Sequence, residues 1–77
     1  MVMYTTGWCG YCIRLKRALE REGIRFTEVD IETDAEAQAR VMAINGGNAT
    51  VPTVVFPDGS AATNPSLAQV LARLQPA

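Results

Sequence analysis

The chain has 77 residues, 48% of them hydrophobic, with seven basic and eight acidic side chains and no histidine. That length supports one small domain, residues 1–77, whose core claims most of the apolar side chains. A net charge of −1 offers no basic footprint for nucleic acid or an anionic membrane, and no apolar run nears the ~20 residues of a membrane span.

Met1 to Thr5 carries no charge and reads as a strand covered on both faces. Thr6-Gly7-Trp8 turns the chain into Trp8-Cys9-Gly10-Tyr11-Cys12, which holds both cysteines. A helix is predicted from Gly10 to Glu22, with Cys12, Leu15 and Leu19 at helical spacing on its buried face. Gly23 suits the left-handed position after a helix, and Ile24 the apolar position beyond it. Arg14, Lys16, Arg17, Arg21 and Arg25 make this third basic. Lys16, Arg17 and Arg21 read as a solvated helix face. Arg14, nearest the cysteines, is a candidate to hold a thiolate or an anionic substrate.

Phe26 to Ile31 alternates apolar and polar residues, as a second strand does. Strand, helix and strand at this spacing imply a right-handed crossover and a parallel pair. Thr33-Asp34-Ala35-Glu36 reads as a capping box with Thr33 as the cap. The second helix should run to about Asn45 with Ala37, Val41 and Ile44 inward. Asp30, Glu32, Asp34 and Glu36 place favourable charge at that helix start and do not suggest a metal site. Gly46-Gly47-Asn48 reads as a helix end rather than a phosphate loop, because no strand precedes it and no helix directly follows.

Thr53 to Phe56 is a third strand, Asp58-Gly59 a tight turn, and Ser60 to Thr63 a short return strand. Asn64-Pro65 reads as a helix start, with Asn64 as N-cap and Pro65 first in the helix. Leu67, Val70, Leu71 and Leu74 give the third helix its apolar stripe, and Pro76 should close it. The order is β-α-β-α-β-β-α: an α/β fold with a four-stranded mixed sheet flanked by helices.

Chemistry concentrates at the cysteine pair. Two thiols separated by two residues can close a disulfide across one helical turn. Cys9 opens the helix, where unpaired N–H groups and the helix dipole favour a thiolate. Cys12 falls on the inward stripe with Leu15. A Cys-x-x-Cys pair is also half of a zinc site, but there is no third cysteine and no histidine to complete it. A redox pair without further cysteines suits a reducing compartment, so the chain is expected to be cytoplasmic. No signal peptide is visible ahead of the first strand.

This order of elements, with Cys-x-x-Cys after the first strand and Thr50-Val51-Pro52 before the third, resembles the thioredoxin superfamily. The size resembles a glutaredoxin. The resemblance implies that Cys9 attacks, that Cys12 resolves, and that Pro52 follows a cis bond and faces the cysteines. Val51 would then offer its backbone to an extended substrate. Glutaredoxins that bind glutathione usually carry Gly-Gly and then Asp at the last strand-to-helix turn, where the Asp grips the tripeptide's amino end. Here that turn is Thr63-Asn64-Pro65-Ser66, without a carboxylate. Together with Trp8-Cys9-Gly10-Tyr11-Cys12, Gly46-Gly47-Asn48 and Asp58-Gly59-Ser60, it resembles the mycoredoxins, which act on the sugar-containing thiol mycothiol.

The resemblance implies a thiol–disulfide oxidoreductase that reduces mixed disulfides between proteins and a low-molecular-weight thiol. Trp8, Tyr11, Thr50, Val51, Pro52, Asn64 and Ser66 would bind the small thiol. It implies no permanently bound cofactor, mycothiol or another small thiol as co-substrate, oxidised proteins as partners, a reductase upstream, and a monomer. Two alternatives stand beside it. One is a dithiol electron donor to ribonucleotide reductase, reduced by thioredoxin reductase. The other is a glutaredoxin that holds an iron–sulfur cluster between two chains, which Gly10 in place of the usual proline could allow.

Overall fold

A computed structural model of the protein describes residues 1–74, so the closing role expected of Pro76 lies outside them. The elements are β1 (Val2–Thr5), α1 (Gly10–Arg21), β2 (Thr27–Asp30), α2 (Ala35–Ile44), β3 (Thr53–Val55), β4 (Ala61–Thr63) and α3 (Leu67–Leu74). They follow the predicted order. The sheet runs β2-β1-β3-β4, with β1 and β2 parallel and the remaining pairs antiparallel. β1 is therefore an inner strand, and its Met3 sits between Glu28 and Val54.

Alternation along β1 divides the core between the two faces of the sheet. Met3 faces Leu15 and Leu19 of α1 and Val70 of α3, with Val54, Phe56 and both cysteines in the same cluster. Tyr4 faces the other way, onto Ala37 and Val41 of α2 and Ile31. Met3, Leu19, Val41, Val54 and Val70 are fully buried. Each such side chain contributes about 1.5–3 kcal/mol of transfer free energy.

The ends of α1 position the cysteines. Cys9 is its N-cap, with extended backbone at φ −82° and ψ 116°. At the other end Gly23 takes φ 71°, a conformation that costs a residue with a Cβ. There Ile24 N–H donates to the Leu19 carbonyl and Gly23 N–H to that of Glu20, which satisfies two of the last carbonyls of the helix. Gly47 N–H closes α2 in the same manner on the Met42 carbonyl, at 2.7 Å.

Three expectations need correction. The cap of α2 is Asp34, not Thr33: the Asp34 carboxylate accepts from Ala37 N–H at 3.1 Å, while the Thr33 hydroxyl donates back to the Asp30 carbonyl. Ile44 does not point inward and is 38% exposed. The inward line of α2 runs Ala37, Val41, Asn45, because the Asn45 amide bonds the Thr53 hydroxyl at 3.1 Å. The cap of α3 is Ser66, not Asn64. Ser66 Oγ accepts from Gln69 N–H at 3.1 Å, and Gln69 Oε1 accepts from Ser66 N–H at 2.8 Å, a reciprocal capping box. Asn64 instead turns the chain, at φ 47°, a conformation asparagine tolerates better than most residues.

Candidate active site

The site is the junction of β1 and α1, faced by the segment ahead of β3. Both cysteines are free thiols, and both are buried. Cys9 N–H donates to the Thr6 carbonyl at 3.4 Å, which fixes the turn. Cys9 Sγ accepts from Cys12 N–H at 3.4 Å, the bond that a helix N-cap side chain makes. The same sulfur lies 3.9 Å from the Val51 carbonyl, toward which its S–H donates.

These contacts separate the two thiols chemically. Burial alone would raise the Cys9 pKa. Hydrogen bonds from the Cys12 thiol and from the N–H groups of Cys12 and Tyr11 outweigh it, and the pKa falls below its ordinary value. Cys12 is pushed up to about 12, first by burial and then by the adjacent Cys9 sulfur, against a hydrogen bond from Thr6 N–H. Cys9 is therefore the more readily ionised of the two sulfurs, and Cys12 stays a protonated thiol at neutral pH.

The expected partners of the cysteines are placed as follows. The Val51–Pro52 peptide is cis, and the Val51 backbone lies against Cys9. Pro52 is buried, and its carbonyl accepts from Asn64 N–H at 2.7 Å, which ties this segment to the last turn. Tyr11, Asn64 and Ser66 meet in one groove of about 460 Å³ between α1 and the start of α3. Arg14, Pro65, Leu67 and Gln69 also line it. Trp8 and Thr50 are exposed and do not line this groove; the Thr50 carbonyl accepts from the Thr53 hydroxyl at 2.7 Å. Trp8 is 73% exposed and Tyr11 62%, so the two aromatic side chains that flank the buried Cys9 in sequence stand open to solvent.

Gln69, which lines the groove, and Asn45, which braces the sheet behind the segment ahead of β3, are not among the residues that the sequence singles out. Gln69 was legible as the fourth residue of Ser66-Leu67-Ala68-Gln69, a capping-box pattern. Asn45 joins α2 to the sheet: its amide donates to the Val41 carbonyl and the Thr53 hydroxyl, and Thr63 Oγ1 donates to its Oδ1. No local sequence pattern signals that role. Among the described residues no helix is long and apolar enough to cross a membrane.

Residues 1–60 match the glutaredoxin family profile. A Mycobacterium tuberculosis protein described as a glutaredoxin is 55% identical over 74 residues, which cover 96% of this chain and 88% of the relative. The chain belongs to the glutaredoxin family. Mycoredoxin 1 of Corynebacterium glutamicum is 40% identical over 75 residues, covering 97% of this chain and 92% of that protein. The fold also matches the crystal structure of a thioredoxin-like protein, with a TM-score of 0.81 at 26% identity over 95% of this chain and 97% of that one. As a glutaredoxin, the protein is a thiol–disulfide oxidoreductase. Glutaredoxins work with low-molecular-weight thiols and protein substrates.

Proposed function

We propose that this glutaredoxin reduces mixed disulfides between proteins and a low-molecular-weight thiol, with mycothiol as that thiol, and that Cys9 is the attacking residue. The Cys9 thiolate attacks the small thiol's sulfur. The protein sulfur leaves with the electron pair of the broken bond and takes up a proton. Cys9 then carries the small thiol as a mixed disulfide. A second small thiol releases it, or Cys12 does so and leaves a Cys9–Cys12 disulfide for an upstream reductase. The observation that carries this reading is the Cys9 sulfur at the α1 N-cap, hydrogen-bonded by Cys12 N–H and facing the Val51 carbonyl. A nucleophile with lowered pKa also serves as a good leaving group when the small thiol is removed.

The groove supports mycothiol over glutathione. Among the described residues its lining includes no carboxylate that could grip the α-amino group of a γ-glutamyl end. A charged contact of that kind contributes about 1.5–3 kcal/mol. Asp58, the nearest carboxylate in sequence, is engaged in its own turn with Ser60. Asn64, Ser66, Gln69 and Arg14 suit hydroxyl groups, and the Tyr11 ring suits the flat face of a sugar. Trp8 and Thr50 extend the contact surface outside the groove, and Val51 and Pro52 shape the edge beside Cys9. The whole chain acts as one unit, a monomer in the cytoplasm.

The test is turnover of one protein mixed disulfide with mycothiol, with glutathione, and with thioredoxin reductase supplied separately. Mycothiol should support turnover, and glutathione should support it less well. Turnover with the flavoprotein alone, without a small thiol, would favour the electron-donor role instead.

A further inference from the structure

Thr53 on β3 is fully buried, and in the sheet it lies opposite Tyr4 of β1 and Thr63 of β4. Directly opposed residues share a face, so Thr53 and Thr63 stand on the side of the sheet that Tyr4 presents to α2. Both reach Asn45 at the end of that helix. The Asn45 amide donates to the Thr53 hydroxyl at 3.1 Å, and Thr63 Oγ1 donates to Asn45 Oδ1. The Thr53 hydroxyl then donates to the Thr50 carbonyl at 2.7 Å.

This chain of bonds ends on the segment that faces Cys9. The Thr50–Val51 peptide is trans, and a planar trans peptide sends its carbonyl and its N–H in opposite directions. Holding the Thr50 carbonyl on Thr53 therefore fixes the peptide plane and turns the Val51 N–H away from Thr53. The next carbonyl, that of Val51, lies 3.9 Å from Cys9 Sγ. The other arm of the network leads from Thr63 to Asn64, which lines the groove and whose N–H donates to the Pro52 carbonyl. A valine would pack at position 53 of a buried strand as well as threonine does. What the hydroxyl adds is the orientation of one peptide. We propose that Thr53 and Asn45 are positioning residues of the reaction: they hold the Thr50–Val51 peptide so that the Val51 main chain meets the amide groups beside the reacting sulfur of the substrate. The proposal rests on the reading that Cys9 attacks a mixed disulfide whose chain lies along Val51.

Two reactions of Cys9 separate this role from general damage to the fold. Removal of mycothiol from a cysteine peptide uses the Val51 edge, whereas alkylation by iodoacetamide needs only the sulfur. In Thr53→Val, kcat/KM for the peptide should fall by about fivefold to tenfold, chiefly through KM, the loss expected of one hydrogen bond. The rate and pH midpoint of Cys9 alkylation should stay, because the donors that lower the Cys9 pKa belong to Cys12 and Tyr11. Thr53→Ser should restore turnover. Asn45→Asp repeats the test with the buried position 53 intact. Its carboxylate still accepts from Thr63 but also draws the Thr53 donor off the Thr50 carbonyl, so KM should rise again. The role would be overturned by parental kcat/KM in both Thr53→Val and Asn45→Asp, by alkylation that slows as much as turnover, or by Thr53→Ser as slow as Thr53→Val. Failure of the parent protein to form an adduct on Cys9 would instead overturn the reading of Cys9, and this proposal with it.

Discussion

Cys9 and Cys12 are chemically identical side chains three positions apart, and their surroundings make them unlike. The difference predicts a wide pH window in which alkylation labels Cys9 alone. Labelling requires thiolate, so its rate rises with pH through the Cys9 pKa, which lies below the ordinary value of 9.0. Cys12 should remain unlabelled until pH approaches its own value of about 12. Mass spectrometry of partly alkylated protein reads this directly, and early label on Cys12 would contradict it. Cys12→Ala removes one of the donors that lower the Cys9 pKa, so the midpoint of the Cys9 profile should move up. Cys12→Ser keeps a hydroxyl donor and should move it less. The sequence already disclosed this asymmetry, because Cys9 precedes the helix and Cys12 joins Leu15 and Leu19 on its apolar stripe. The Val51 carbonyl beside Cys9 depends on how β3 pairs with β1, so only the family resemblance, and no local pattern, pointed to that segment.

At the scale of elements, helical and strand periodicity placed all seven segments, while the caps were harder to read. Two caps went to a neighbouring residue, since Thr33 and Asp34, like Asn64 and Ser66, are all competent cap residues. Tertiary geometry decided between them. Asn64 N–H is required by the Pro52 carbonyl, so the chain must turn there before α3 can start. This assigns Ser66 a measurable share of stability: Ser66→Ala should cost about 0.5–2 kcal/mol in denaturant unfolding. Asn45 should matter at least as much. Asn45→Ala removes hydrogen bonds to Val41, Thr53 and Thr63, which join α2 to β3 and β4. A loss of about 1–3 kcal/mol is expected, the cost of leaving partly buried polar groups unpaired. Unfolding free energies within error of the parent protein would show that these bonds are replaced by water. The segment ahead of β3 is held by the same network, so Asn45→Ala should also slow turnover more than its stability loss explains.

Across the whole molecule, charge is segregated although the net charge is small. Arg14, Arg17 and Arg21 lie on α1, while Asp30, Glu32, Asp34 and Glu36 gather around the start of α2. The one ion pair among the described residues, Lys16 with Glu28 at 2.9 Å, bridges α1 to β2. Both partners are well exposed, so it contributes little to stability. The groove between α1 and the start of α3 has Arg14 as its charged lining residue, and the rest of its polar lining among the described residues is neutral. The proposed preference for a small thiol rich in hydroxyls, over one that must bury an ammonium group, rests on that distribution. The most direct test combines nucleophile and partner in one measurement. Cys12→Ser protein is mixed with one protein carrying either mycothiol or glutathione on the same cysteine, and the adduct on Cys9 is followed by intact-protein mass spectrometry. The account predicts an adduct on Cys9 in both cases, forming faster from the mycothiol conjugate. No adduct on Cys9, or an adduct forming at least as fast from the glutathione conjugate, would contradict it.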